Sequence, residues 1–401
     1  MVNLSGVSIL SSLHKQEYPM KYCGIDLHKK TIVVCVMNKE RTVLMRKKFL
    51  CVDVKGILAW FGSLGEFSFV VEATATYEWL VQLLEPLAAD WKLVNPGKMR
   101  VIAESTKKSD KLDAQVLAEF LALGMIPESY RPTARQREHR KLVRYRAQCQ
   151  QRLTRLKCQI RYMAASYNAD HRQLFQAERL EEFRARPDLT EGDRFILRER
   201  LQDYDEALKR LQAAKVELKA FTAKGSAAEQ KAREILRSAP GVGVVVSEIL
   251  LAEVGDGNRF GSLKDAAAYA GLAPGKRESD GKRKDLPITK KGSRLLRWAM
   301  VEAAWAAVAH SARWRGVYEA LKRRRQAKRA IIAVARRLLT VLVSMLKSGT
   351  MYRANLAELR EKEALAVLRA NKKRAAKSKK EAAKAAKGAK EAKGAKEATM
   401  V

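Results

Sequence analysis

Lys21-Tyr22-Cys23-Gly24-Ile25-Asp26-Leu27-His28-Lys29-Lys30-Thr31-Ile32-Val33-Val34-Cys35-Val36-Met37 holds two runs of β-branched, aromatic and sulfur-bearing residues split by a charged turn. That is the pattern of two consecutive strands. Working outward, residues 22–26, 31–37, 42–52, 67–73 and 91–95 are predicted as strands, and 78–89 and 109–123 as helices. Three consecutive strands, then strand, helix, strand and helix, describe an α/β layout in which a meander feeds parallel crossovers. Pro127 and Pro132 close this unit.

From 133 to 236 the only proline is Pro187, and leucines recur among charges. Positions 142, 146, 149, 153, 156, 160 and 163 step by four and three, as do 197, 201, 204, 208, 211, 215 and 218. Each run predicts a helix with a heptad seam, and the break between them is expected at 188–193. The two seams either close on each other as an antiparallel pair or meet seams of another chain. Residues 237–350 then predict a Gly-rich turn, an apolar helix, a basic loop and two long helices from about 293 to 347. The Ala/Lys/Glu/Gly stretch at the end has nothing to bury and is expected to lack a fold of its own.

The 401 residues carry 79 Lys or Arg against 44 Asp or Glu, a net charge of +35. Residues 371–401 account for +8 of this, so the excess sits mostly on the folded body. A basic body implies a polyanionic partner, with nucleic acid favoured over a membrane surface. No run of 18 apolar residues occurs, because Glu302 and Arg336-Arg337 interrupt the most apolar stretches, so no membrane span is expected. A cytoplasmic location follows as the expectation. Five cysteines, Cys23, Cys35, Cys51, Cys149 and Cys158, form no CxxC pair, and are expected to be reduced packing residues.

Four acids stand out. Asp26 closes the first strand, Glu72 the fourth, and Asp110 and Asp113 lie three apart on one helix face. Carboxylates at strand carboxyl ends fall where α/β folds place ligands. Two divalent cations about 4 Å apart can clamp both oxygens of a phosphodiester exchange, and Mg2+ takes carboxylate oxygens. Singly, each acid could be a cap or an ion-pair partner. Gly24-Ile25-Asp26 followed by Thr31 also fits the first phosphate loop of an actin-like sugar kinase, although no second Gly-rich loop follows. In the second half, Pro240-Gly241-Val242-Gly243 between two helical runs suggests a helix-hairpin-helix whose backbone amides grip a phosphate. A loop at 271–287 gathers Lys276, Arg277, Lys282, Arg283 and Lys284 around Ser279, a hydroxyl that cations could activate as a phosphoryl acceptor.

Together these motifs resemble the DEDD transposases of bacterial insertion sequences, relatives of the Piv-type DNA invertases. The resemblance is carried by Gly24-Ile25-Asp26, Glu72, Asp110/Asp113, Pro240-Gly241-Val242-Gly243, Ala270-Gly271-Leu272-Ala273-Pro274 and Lys291-Gly292-Ser293-Arg294-Leu295-Leu296-Arg297. It spans about residues 21–350. It implies an α/β ribonuclease H-like (RuvC-like) domain at 21–132 after an extension at 1–20, and a helical coiled-coil connector at 133–235. An α-rich transposase domain with the helix-hairpin-helix follows at 236–350, then a basic tail at 351–401. It further implies Mg2+ on Asp26, Glu72, Asp110 and Asp113, a serine nucleophile, donor and target DNA, a structured guide RNA from the element, and a homo-oligomer, dimer or tetramer. DNA work of this kind places the protein at the nucleoid.

The family's serine commonly stands directly before glycine, whereas Asp280 separates Ser279 from Gly281 here, so Ser293 and Thr289 stand as further candidates. Nucleic-acid contacts are expected from Gly241, Gly243, Lys276, Arg277, Lys282, Arg283, Lys284, Lys290, Lys291 and Arg294. Two rival readings remain: a Holliday-junction resolvase using metal-activated water, and a non-enzymatic nucleic-acid-binding protein.

Overall fold

The computed structural model describes residues 20–102, 110–279, 282–324 and 326–354, with the backbone alone at 100–102, 110–112, 276–279 and 282–285. The extension at 1–19, the tail at 355–401 and the Asp280-Gly281 pair lie outside the described residues. Two compact units divide between Pro132 and Thr133.

The first unit is built on strands β1 (Lys21–Leu27), β2 (Thr31–Met37) and β3 (Val43–Leu50). Helix α1 (Val54–Gly62), strand β4 (Phe67–Glu72), helix α2 (Glu78–Leu84) and strand β5 (Asp90–Val94) come next. Helices α3 (Pro96–Ile102) and α4 (Asp110–Ala122) complete it. The sheet order is β3-β2-β1-β4-β5; β2 runs antiparallel to β1 and β3, while β1, β4 and β5 are parallel. This order and sense are compatible with a ribonuclease H-like layout. Helix α1 corrects the expected run straight from the third strand to the fourth. Asp53 caps it by accepting the Gly56 amide at 2.9 Å, and Ile57 and Phe61, one turn apart, bury its inner face.

Alternation along the strands makes two cores. Cys23, Ile25, Ile32, Val34, Phe67, Phe69 and Val71 face α1 and α2. The opposite face, with Val33, Cys35, Met37 and Val70, is covered by Ala114, Leu117, Ala118 and Leu121 of α4. Helix α4 lies so close that a Cβ on Gly24 would overlap the Ala114 carbonyl and the Ala118 amide. Cys23, Cys35 and Cys149 are packing residues, and burial pushes the Cys23 thiol well above its ordinary range. Cys158, in contrast to the expectation, is exposed, because it falls off the buried seam of its helix.

The second unit begins with α5 (Ala134–Ser166), α6 (Ala177–Arg184) and α7 (Glu191–Ala223). Thr133 and Thr190 cap the two long helices through the Gln136 and Asp193 amides. The helices pack side by side in opposite directions: Arg152 meets Asp203 at 3.1 Å, and His139 stacks on Phe221. The seams thus close within one chain. Their register on α7 differs from the heptad expectation. Ala207 and Ala214 are buried, whereas Leu208 and Lys215 are exposed. Leu211 and Leu218 keep their expected places, and alternating with them the small Ala207 and Ala214 pack against Cys149, Leu153 and Leu156 of α5 one position before the expected seam. The break is also wider than predicted: Asn168 turns left-handed at φ 49° to end α5, and α6 fills the gap.

Helices α8 (Ala227–Arg237), α9 (Val244–Val254) and α10 (Leu263–Tyr269) follow, then a hairpin of β6 (Pro274–Ser279) and β7 (Lys282–Ile288). Helices α11 (Arg294–His310), α12 (Ala312–Lys322) and α13 (Ala327–Ser348) close the unit around a core that includes Leu250, Met300, Ala303, Val334, Leu338 and Leu342. Two expectations are corrected. The basic loop is a β-hairpin, and the two long helices are three, since Ser311 ends α11 and caps α12 through the Trp314 amide.

Candidate active site

Strands β1 and β4 pair in parallel, with Ile25 opposite Val71. Asp26 and Glu72, one step further on, are therefore neighbours at the carboxyl end of the sheet. Both leave the α1/α2 core and fall on the face that α4 covers, because they alternate with Ile25 and Val71. The side chain of Asp26 is 14% exposed, and its Oδ2 stands 3.0 Å from Nε2 of His28. His28 had no role in the sequence reading; its spacing of two from Asp26 across a strand end was the available signal.

Helix α4 starts at the same edge. Its stripe Ala114, Leu117, Ala118 and Leu121 runs from over Gly24 toward Tyr22, so Asp110 and Asp113 occupy the turn nearest Asp26. Asp113 is exposed; the Asp110 side chain lies outside the described residues. Among the described residues no three His, Cys, Asp or Glu side chains gather closely enough to hold a metal. The structure thus brings Asp26 and Glu72 together and sets the first turn of α4 beside them. A donor set made of carboxylate oxygens fits a hard divalent cation.

Ser279 is the last residue of β6 and pairs with Lys282 across the hairpin; its side chain, and those of Lys276, Arg277, Lys282, Arg283 and Lys284, lie outside the described residues. The base of this hairpin is a backbone clasp. The Thr289 amide donates to the Ala273 carbonyl at 3.0 Å, and the Lys290 amide to the Gly271 carbonyl at 3.2 Å. Arg297 Nη1 donates to the carbonyls of Ala270 and Lys290, both at 3.2 Å. Gly292, at φ 124°, leaves room where a Cβ would strike the Tyr269 carbonyl. The two motifs at 270–274 and 291–297 are therefore the two halves of one joint. Ser293 caps α11, accepting the Leu296 amide at 3.2 Å, while Thr289 is exposed. Lys290, Lys291 and Arg294 are exposed beside it.

In the turn before α9, Gly241 takes φ 83°, and a Cβ there would overlap the Ala303 carbonyl, so it seats the turn on α11. Gly243 is exposed and caps α9 without a side-chain bond. Sequence reasoning missed two buried acids on α9. Glu248, 2% exposed, accepts from Arg233 Nε at 3.1 Å and Arg237 Nη2 at 2.9 Å and stands 3.0 Å from His139 Nε2. Burial raises its proton affinity, but the contacts with His139 and Arg233 outweigh this and hold the carboxyl below the ordinary range. Glu253, 1% exposed, accepts from Arg144 at 2.9 Å and from Tyr269. Acids five apart inside an apolar helix were the signal.

With this geometry in view, comparisons identify the class. A family model described as a transposase, of the DEDD type of IS110 elements, matches residues 23–168. A second, described as the IS116/IS110/IS902 transposase family, matches 233–319. The transposase for insertion sequence element IS1111A of Coxiella burnetii is 24% identical over 86% of this chain and 95% of its own length. The transposase for IS1328 of Yersinia enterocolitica is 24% identical over 70% of this chain and 82% of its own. An uncharacterised 43.6 kDa protein of insertion element IS110 from Streptomyces coelicolor is 34% identical over 30% of either chain. The chain belongs to the IS110-type family of insertion-sequence transposases, a family of enzymes that cleave and rejoin DNA. Among the described residues no helix is long and apolar enough to cross a membrane.

Proposed function

We propose that this protein mobilises an insertion sequence by cutting and rejoining DNA strands at sites chosen by a structured RNA of the element. The observation that carries the reading is the pairing of Asp26 and Glu72 at the carboxyl ends of adjacent parallel strands, beneath a helix whose first turn bears Asp110 and Asp113. In this reading the 21–132 unit is a RuvC-like domain, α5 and α7 form a coiled-coil connector, and α8, its Gly turn and α9 form a helix-hairpin-helix. The four acids hold Mg2+, which supplies charge stabilisation at the phosphodiester. Ser279 attacks the phosphorus, the P–O bond to the leaving strand breaks, and the energy of the phosphodiester is kept in a phosphoserine link for rejoining. The exposed cations Lys290, Lys291 and Arg294 and the hairpin's Lys276, Arg277, Lys282, Arg283 and Lys284 contact the backbone, with Gly241 and Gly243 shaping the second grip. The protein works as a dimer or tetramer, with Ser279 of one copy facing the acids of another, on nucleoid DNA in the cytoplasm.

The test is strand cleavage on element-end DNA with Mg2+ and the element's RNA. Asp26→Asn is expected to abolish cleavage while leaving DNA affinity intact. Wild type yields a protease-sensitive DNA adduct, and Ser279→Ala yields none. Full cleavage by Asp26→Asn would refute the metal site. Adduct formation by Ser279→Ala would move the nucleophile to Ser293 or Thr289, and cleavage without any adduct would favour the resolvase reading.

A further inference from the structure

Helices α5, α7, α8 and α9 enclose a cavity of about 610 Å3. Its size falls in the range of roughly 300–1,000 Å3 that small-molecule sites occupy. None of the residues assigned to strand transfer lines it. Val143, Leu218, Val245 and Ile249 supply aliphatic walls, one from α5, one from α7 and two from α9. The polar lining is strongly one-sided. Arg146, Lys215, Lys219, Arg233 and Arg237 face a single acid, Glu248, which His139, Arg233 and Arg237 already engage.

One of these cations is held in place without a matching acid. Arg146 is half-buried, and no ion pair or hydrogen bond joins it to another described residue; burial alone acts on it, lowering its proton affinity. Arg233, 3% exposed, is by contrast paired with Glu248 at 3.1 Å and stands 3.6 Å from Glu229, so it is already matched. The first turn of α9 adds to the same field: Val244 and Val245 line the cavity, and no side chain caps their end of the helix. Aliphatic walls with cations and free amides at one side match a flat apolar ring that carries a phosphate.

We propose that this cavity receives one unpaired nucleotide of the bound nucleic acid, its base between the aliphatic walls and its phosphate on Arg146 and the start of α9. The proposal rests on the reading that the chain acts on nucleic acid, and it adds a site that recognises an unstacked position and not a duplex. Lys215 and Lys219, both exposed, then hold the flanking backbone. A fatty-acid carboxylate would use one cation and leave the others unmatched, which favours a polyanionic strand.

The test uses the full-length protein and a DNA hairpin with one bulged 2-aminopurine, beside its fully paired counterpart, followed by fluorescence and competition. The bulged hairpin is expected to bind at least about tenfold tighter, a difference of about 1.4 kcal/mol, with a change in 2-aminopurine emission. Arg146→Gln, which breaks no contact within the protein, is expected to erase that preference without weakening binding of the paired hairpin. Val245→Trp, filling the cavity, should abolish the emission change. The same two hairpins in RNA identify which nucleic acid supplies the nucleotide, and a preference in either supports the site. If the preference persists in both variants, or neither hairpin pair shows one, the pocket assignment is overturned while the reading of the protein stands. If no hairpin binds at all, the underlying reading fails as well.

Discussion

Gly24 is where the geometry of the candidate site can be moved without touching a single acid. Its α-hydrogen faces the Ala114 carbonyl and the Ala118 amide of α4, and a methyl group there would fall inside ordinary van der Waals contact with both backbone atoms. Backbone cannot rotate aside as a side chain can, so Gly24→Ala pushes α4 outward by about 1 Å. Overpacking of this kind costs about 1–3 kcal/mol, which lowers the melting temperature of the unit but leaves it folded. The consequence for chemistry is larger. The first turn of α4 carries Asp110 and Asp113 away from Asp26 and Glu72, and a displacement of about 1 Å among positioned groups costs on the order of 100-fold in rate. The assay is metal-dependent cleavage of element-end DNA, run beside a circular-dichroism melt. Gly62→Ala, where a Cβ meets nothing, is the matched control and should be neutral. A Gly24→Ala protein that cleaves at the wild-type rate would refute the idea that α4 completes the site.

Glu248→Ala should destabilise the second unit by about 3–5 kcal/mol, because Arg233, Arg237 and His139 lose their shared carboxylate in a buried setting. That corresponds to a fall in melting temperature on the order of 10 °C, read by calorimetry. The pH dependence follows from the sign of the shift: Glu248 binds its proton less tightly folded than unfolded, so its contribution is complete above the ordinary value of 4.5 and is lost as pH falls below it. Melts of wild type from pH 7 to pH 3 should show this loss, and Glu248→Ala should flatten it. On α7, Ala207→Leu should cost about 1–3 kcal/mol, whereas Leu208→Ala should change stability by less than about 0.5 kcal/mol. Equal effects in urea melts would restore the strict heptad register.

The first unit was legible because its signals are local. Strand alternation at 22–26, 31–37 and 67–73 depends on neighbours two residues away, and Asp26 and Glu72 follow directly from where those runs stop. Helix α1 was missed because Asp53 and the Ile57/Phe61 pair are a short signal next to a strong strand. The hairpin was missed for the opposite reason: all ten residues between Gly275 and Leu286 are polar or glycine, so no apolar alternation marked the strands, yet Asp280-Gly281, the sequence mark of a two-residue turn, stood among them. The α7 seam slipped by one position because periodicity shows that a face is apolar, and only the facing helix decides whether Ala207 or Leu208 enters it. Glu248 and Glu253 were missed for a related reason. Their partners on α5 lie about 110 residues away in the chain, and nothing in the spacing of α9 names them.

Helix α4 is the last helix of its unit in chain order, and Gly24, on which it rests, belongs to the first strand, about 90 residues earlier. During synthesis the sheet acids are therefore present long before the helix that accompanies them. A contact of such sequence separation forms late, since its loop-closure entropy must be met before it contributes. On the proposed reading of the site, the nascent chain carries Asp26 and Glu72 as an incomplete pair until α4 docks, and the four acids come together only with the last step in the folding of the first unit. A transposase with such a site would lack its metal centre for as long as its first unit is unfinished.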